Sequence, residues 1–298
     1  MFRVNEKLYC YDAYFKKVHS LYIKQQLPSS ILFSGKEGCG KKNFVTHLLF
    51  NILENTDLTT SLKNKIVNLN YLIENKNSNV RYIYKKDDSL NITIEQIREI
   101  LNYSKQSSLD GNSKFIVICN PEDLNLNAAN ALLKILENPP EKTFFFLITN
   151  YENKIINTVK SRCVKFKINF SFSENKLILD NLLKDYELSE LVNIIFFNKY
   201  DTAGLIIEKI FFIKNNNLEK NSILEIIVFC IDNFKKTKNN IYLKYALDFS
   251  ANYFNQKLKL NFRKFYSSYY LFLNKFLDCV KYNSDFTSIL KLLKKNNK

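Results

Sequence analysis

Two short stretches hold residues whose types and spacing could do chemistry. The first is Gly35-Lys36-Glu37-Gly38-Cys39-Gly40-Lys41-Lys42. A glycine, four residues and then Gly-Lys is the spacing of a phosphate-binding loop. In such a loop backbone N–H groups and the lysine cradle phosphate oxygens, and a following Ser or Thr hydroxyl holds magnesium. Gly35, Gly40 and Lys41 fit, but Lys42 stands in the hydroxyl's place and offers no oxygen. Nucleotide-hydrolysing loops also take a carboxylate from the end of a neighbouring buried strand to order the metal and the attacking water. Here Phe115 to Ile118 runs into Cys119 and Asn120, and Glu122 and Asp123 come two or more positions late. Two defects on the same magnesium argue against hydrolysis, while phosphate binding by Gly35, Gly40 and Lys41 stays open.

The second stretch is Ser161-Arg162-Cys163. A guanidinium is permanently charged and presents a rigid fork of donors that suits phosphate oxygens. The plainer reading is a solvated arginine at a helix end. Metal chemistry has little support: the six cysteines lie tens of residues apart without a CxxC pair, and His19 and His47 are the only histidines. A structural zinc site needs three or four such ligands at close spacing, so no zinc and no metal site is expected. The cysteines read as reduced residues of a cytoplasmic protein.

These residues need elements to position them. Before Glu141, strand-like and helix-like segments alternate, which predicts a parallel α/β sheet. Strands are expected at Ile31–Ser34, Val80–Tyr84, Lys114–Cys119, Thr143–Thr149 and Val164–Ile168. Helices are expected after the glycine loop, over Ile94–Lys105 behind a Thr93/Gln96 capping box, over Leu126–Glu137 ahead of Pro139 and Pro140, and near Lys154–Val159. A short helix fits around Leu62–Ile73. Beyond Ile168 there is no proline and one glycine, Gly204. Apolar and aromatic residues recur there at three- and four-residue spacing over Ile223–Phe234, Ile241–Phe254 and Phe262–Val280, so that half is expected to be helical, with Lys291–Lys298 a frayed basic tail.

With 298 residues, 46% of them apolar, the chain can bury more than one core, and no apolar run reaches the roughly 18 residues of a membrane span. The formal charge of +15 admits a polyanionic partner, but the basic residues are spread out and lysine, asparagine and isoleucine are all abundant, as in an AT-rich genome.

A longer motif makes the pattern specific. Asn125-Leu126-Asn127-Ala128-Ala129-Asn130-Ala131-Leu132-Leu133-Lys134-Ile135-Leu136-Glu137-Asn138-Pro139-Pro140 is very similar to the Asn-Ala-Leu-Leu-Lys-x-Leu-Glu-x-Pro-Pro helix of bacterial clamp-loader subunits with an ATPase fold, and Ser161-Arg162-Cys163 matches their Ser-Arg-Cys motif. Leu27-Pro28-Ser29-Ser30-Ile31-Leu32-Phe33-Ser34-Gly35 resembles the family's approach to its loop, and Thr149-Asn150 stands where its sensor is expected. The resemblance covers residues 20 to 170, and the helical remainder only in character.

Several things follow from the resemblance. The fold would be a P-loop NTPase-like (AAA+) α/β domain at 1–168, a small helical lid at 169–207 and an all-helical collar for oligomerisation at 208–298. Gamma/tau members hydrolyse ATP with an intact loop, an acidic strand end and a zinc module. Delta-prime members keep Ser-Arg-Cys and are often degenerate, which is the pattern here. No cysteine lies between Asn43 and Asp88 for zinc, and the lid's sensing arginine after glycine is missing, since Leu205 follows Gly204. The chain would then be a non-hydrolysing subunit in a ring with gamma/tau and delta subunits that loads a sliding clamp onto primed DNA. It would need no cofactor of its own, ATP binding being left open, and would lend Arg162 in trans as an arginine finger. Asn130, Lys134 and Glu137 would shape the helix and its docking. The alternatives are a hydrolysing gamma/tau-like subunit and a stand-alone nucleic-acid-binding protein, which would show strongly salt-dependent DNA binding.

Overall fold

Short apolar runs broken by glycine and proline turns build the first half of the chain. In the computed structural model these runs form five parallel strands: β1 (Ser30–Ser34), β2 (Val80–Ile83), β3 (Lys114–Cys119), β4 (Thr143–Thr149) and β5 (Val164–Lys167). The structure describes residues 7–54, 65–86, 89, 91–106, 111–190, 201–282, 284–286, 289 and 291. The strand order is β2-β3-β4-β1-β5, with Leu32 opposite Leu147 and Lys165, Ile116 opposite Phe145, and Tyr82 opposite Val117. Parallel neighbours need crossovers, and the helices supply them. They are α1 (Asp12–Ile23), α2 (Lys41–Glu54), α3 (Lys65–Ile73), α4 (Ile94–Lys105), α5 (Leu126–Glu137) and α6 (Asn157–Ser161). With the glycine loop directly after β1, which lies between β4 and β5, this is the P-loop NTPase-like parallel α/β arrangement expected.

Side chains alternate across a strand, so β1 feeds two cores. Ile31 and Phe33 pack with Phe15 and Val18 of α1 and with Phe44, Leu48 and Leu49 of α2. Leu32 faces the other way, among Ile97 and Ile100 of α4, Leu132 and Leu136 of α5, and Val159 of α6. All of β1 and β3 is buried, which is why they read as unbroken apolar runs. Each fully buried Leu or Phe contributes about 1.5–3 kcal/mol of hydrophobic stabilisation. The edge strand β5 is mostly exposed.

Local signals fix the helix ends. The Thr93 N–H donates to Gln96 Oε1 at 3.1 Å, closing the capping box of α4. Asn125 Oδ1 accepts from the Ala128 N–H at 2.8 Å and starts α5. The helix expected near Lys154–Val159 is displaced. A 3-10 turn spans Glu152–Lys154, Ile155 and Ile156 are extended, and α6 starts only at Asn157. Burial of Ile155 against the α5 side of the sheet interrupts the helical path.

The chain divides into two units, Met1–Ile178 with Thr202–Gly204, and Leu179–Asp201 with Leu205–Lys298. Helices α7 (Phe172–Asp185) and α8 (Ala203–Asn215) each contribute to both. The second unit is helical, with α9 (Ile223–Thr237), α10 (Asn240–Leu260) and α11 (Phe262–Lys281) close to the expected segments. Ser222 and Glu225 cap α9 reciprocally, and Phe212 stacks on Tyr245 with ring centroids 3.9 Å apart. The basic tail from 292 onward and the start of the proposed helix at 62–64 lie outside the described residues. No described helix is long and apolar enough to cross a membrane.

Candidate functional site

The glycine loop joins β1 to α2, and each of its glycines has a steric reason. A Cβ at Gly35 would sit 2.4 Å from the Ile168 carbonyl oxygen, because the end of β5 crosses directly over it. Gly38 (φ +73°) and Gly40 (φ +91°) take left-handed conformations that strain other residues. The loop therefore has the backbone that the sequence predicts, placed at the amino end of α2.

Every carbonyl from Gly35 to Cys39 accepts a hydrogen bond from the protein itself. The buried Lys41 ammonium donates to Gly35 O at 2.8 Å and to Lys36 O at 2.7 Å, and lies 3.6 Å from Cys39 Sγ. Thr202 Oγ1 donates to Glu37 O at 2.6 Å, the Gly204 N–H to Gly38 O at 3.0 Å, and the Tyr11 hydroxyl to Cys39 O at 2.6 Å. The Tyr11 ring is itself stacked on Phe44, with centroids 5.0 Å apart, and burial raises its phenol well above the ordinary range. Burial lowers the Lys41 ammonium, while Cys39, Glu37 and Glu122 act in the opposite sense. Lys41 thus spends two of its three donors on loop carbonyls.

The metal half of such a site is replaced. Lys42 Nζ lies 4.0 Å above the Tyr84 ring, a cation–π contact, and burial pushes its pKa down to about 8. Cys119, at the end of β3, is a neutral thiol that burial pushes up to about 12. These two groups influence one another electrostatically, so a tethered cation and an uncharged thiol stand where magnesium chemistry needs oxygen ligands. The residues present do not fit a magnesium ion. Among the described residues no group of three or more His, Cys, Asp or Glu could hold a metal.

One acidic group does reach this end of the sheet, contrary to its position count. Asn120 adopts a left-handed conformation (φ +55°), and the Pro121–Asp123 turn folds Glu122 back. Its Oε2 accepts from Thr149 Oγ1 at 2.8 Å and its Oε1 from the Asn150 N–H at 3.3 Å. The expectation that Glu122 comes too late thus fails, because a turn shortens the path. The carboxylate is nonetheless occupied by the Thr149-Asn150 segment, while Asp123 supplies its carbonyl to the Ile92 N–H at 2.7 Å. Tyr151 Oη adds a bond to Glu37 Oε2 at 3.0 Å. Asn-Pro directly after a buried strand is the signal that could have found Glu122.

Gly204 is part of this construction. A Cβ there would meet Gly38 O at 2.2 Å, so this glycine allows direct backbone contact with the loop. Tyr11 and Thr202 had no sequence signal, being 28 and 165 residues from their partners.

Among the described residues no bond brings Arg162 into this cluster. It caps the carboxyl end of α6 at the surface, where Nη1 donates to Thr158 O at 3.1 Å and Nη2 pairs with Glu137 Oε1 at the end of α5. Asn130 and Lys134, from the same helix as Glu137, are both exposed.

The family described as "DNA polymerase III, delta subunit" matches residues 11–171. The delta' subunit of Buchnera aphidicola subsp. Baizongia pistaciae is 36% identical over 92 residues, 31% of this chain and 27% of that protein. The delta' subunit of Bacillus subtilis is 28% identical over 172 residues, 57% of this chain and 50% of that one. In these two the match spans from about a quarter to half of the relative's own length. A solved structure of a DNA polymerase III gamma-subunit-related protein from Thermotoga maritima has a TM-score of 0.45 at 17% identity, covering 85% of this chain and 75% of that one.

Proposed function

The chain belongs to the DNA polymerase III, delta subunit family, and from that premise we propose that it is a non-hydrolysing subunit of the DNA polymerase III clamp loader. Its work is positional: it sits in a cytoplasmic ring with gamma/tau and delta subunits that sets the sliding clamp on primed DNA, and it lends Arg162 in trans to a neighbour's ATP. Residues 169–207 form the lid and 208–298 the collar.

The observation that carries this reading is the replaced metal site. Lys42 supplies a tethered cation and Cys119 a neutral thiol, and Lys41 is turned onto Gly35 O and Lys36 O. A loop arranged in this way is a structural joint, and ATP bound at Gly35, Gly40 and Lys41 is not required for it. The trans role of Arg162 is supported by its exposure beside the domain edge and by the charge it carries at every physiological pH. The collar is supported by α11, where Tyr266, Tyr270 and Leu277 lie on one helical face at 56%, 61% and 56% exposure, away from the buried Phe272 and Phe276.

The purified chain given magnesium and ATP should show no turnover, and magnesium-dependent turnover abolished by Lys41→Ala would overturn the reading. In a loader reconstituted with its partners, Arg162→Ala should leave assembly intact and reduce clamp- and DNA-stimulated hydrolysis. Arginine fingers are worth on the order of 10³–10⁵ in rate at the site they serve, which several ATP sites in one ring would dilute. Unchanged turnover would remove the finger from the mechanism.

A further inference from the structure

The following rests on the reading of Arg162 as a group that acts on a neighbour's nucleotide. In its own chain that guanidinium already has an anionic partner. Nη2 is ion-paired with Glu137 Oε1, and Nη1 donates to the Thr158 carbonyl at 3.1 Å. The two residues come from different elements 25 positions apart. Glu137 is the last residue of α5, and Pro139 and Pro140 prevent that helix from continuing. Arg162 is the residue on which α6 ends. The carboxylate and the guanidinium are thus each fixed at a helix terminus next to the other.

Two properties of the pair decide what it can do. The side chains are 33% and 47% exposed, so in water the pair is weak. It is strong enough to bias one arginine rotamer and weak enough to be given up. The second property is unused capacity. Among the described residues two of the five guanidinium N–H donors are engaged, which leaves three to meet an incoming oxygen before the bond to Glu137 is released. A phosphate oxygen in a water-poor interface is a stronger acceptor than an exposed carboxylate. The Glu137 charge, meanwhile, opposes a phosphate that is only partly seated.

We propose that Glu137 is a positioning residue for Arg162, a latch that holds the guanidinium at the domain edge and yields it only when a neighbour's nucleoside triphosphate is fully docked. No covalent step is involved; one ionic partner replaces another. The latch makes the neighbour's turnover depend on complete closure of the interface. Without the carboxylate charge, Arg162 would engage at partial closure.

The test is a double-mutant cycle in the reconstituted loader, with ATP hydrolysis measured before and after adding clamp and primed DNA. Glu137→Gln keeps the shape and a hydrogen-bond acceptor but removes the charge, and the half-exposed site accommodates it. Turnover in the absence of clamp and DNA should rise about two- to fivefold, the range an exposed ion pair can supply. The fully stimulated rate should change little. In an Arg162→Ala background the same substitution should do nothing, because Glu137 acts only through the guanidinium. If Arg162→Ala lowers turnover but Glu137→Gln changes nothing, or changes both backgrounds equally, the latch is wrong and the finger stands. If Arg162→Ala itself leaves turnover unchanged, the finger and the latch both fall. Melting curves of the Glu137→Gln chain, superimposable on wild type, separate these outcomes from misfolding.

Discussion

The glycine loop and the Arg162 corner both hold cations suited to phosphate, and they treat them in opposite ways. At the loop, Lys41 is buried and bonded to Gly35 O and Lys36 O, and Lys42 is held over Tyr84. At the corner, Arg162 is exposed, with one weak ion pair and spare donors. Desolvated charges with internal partners are costly to disturb and serve structure. An exposed, incompletely satisfied guanidinium keeps donors that an outside anion can reach. The chain keeps the backbone of a phosphate loop in one place and an accessible phosphate-suited cation in another.

Substitutions should separate the two regions by size of effect. The largest is expected for Gly204→Ala, whose Cβ would fall 2.2 Å from Gly38 O. Denaturant unfolding of the first unit should lose about 3 kcal/mol, as in severe overpacking, and a loss under 0.5 kcal/mol would mean that the loop is not tightly held.

Lys42→Met should act in the other direction. Lysine titrates at 10.5 when unperturbed, and burial takes Lys42 to about 8. Below 8 both folded and unfolded chains carry the proton, and the burial cost is paid in full. Between 8 and 10.5 only the unfolded chain binds it, so wild-type stability from this group rises with pH. The Met variant should be about 1–2 kcal/mol more stable at pH 7, after allowing for the lost cation–π contact. Its advantage should shrink as the pH climbs through that window. An advantage that does not vary with pH would show that the Lys42 charge is not what costs stability.

Tyr11→Phe removes the donor to Cys39 O while keeping the ring on Phe44, and should cost about 1 kcal/mol. The smallest effect belongs to the corner. Arg162→Ala in the isolated chain should change stability by less than about 0.5 kcal/mol, and a larger loss would make Arg162 a structural residue like Lys41.

The strands and most helices were legible because burial writes itself into local patterns: β1 and β3 as unbroken apolar runs, α4 through Thr93 and Gln96, α5 through Asn125 and the paired prolines. The residue types at Lys42 and Cys119 were legible because the donor atom itself is written in the sequence, and the structure adds only what each one touches. Glu122 was misplaced because distance along the chain was taken for distance in space, and the left-handed Asn120 breaks that equivalence. What closes the loop was not legible. Tyr11 and Thr202 meet it from far along the sequence, and nothing local marks a tyrosine or threonine for such a bond. The partner of Arg162 was equally hidden, since Glu137 lies within a motif whose apolar periodicity explains it without reference to charge.

The Gly204 N–H bond to Gly38 O has a consequence in time. Both partners are main chain, so neither salt nor pH can loosen the bond by titration, and the donor exchanges with solvent only when the first turn of α8 leaves the loop. Amide exchange reports the free energy of such openings. A loop that admits ligands would exchange quickly, well ahead of the strands beside it. This one should exchange as slowly as β1, protected as core although it has the sequence of a binding site.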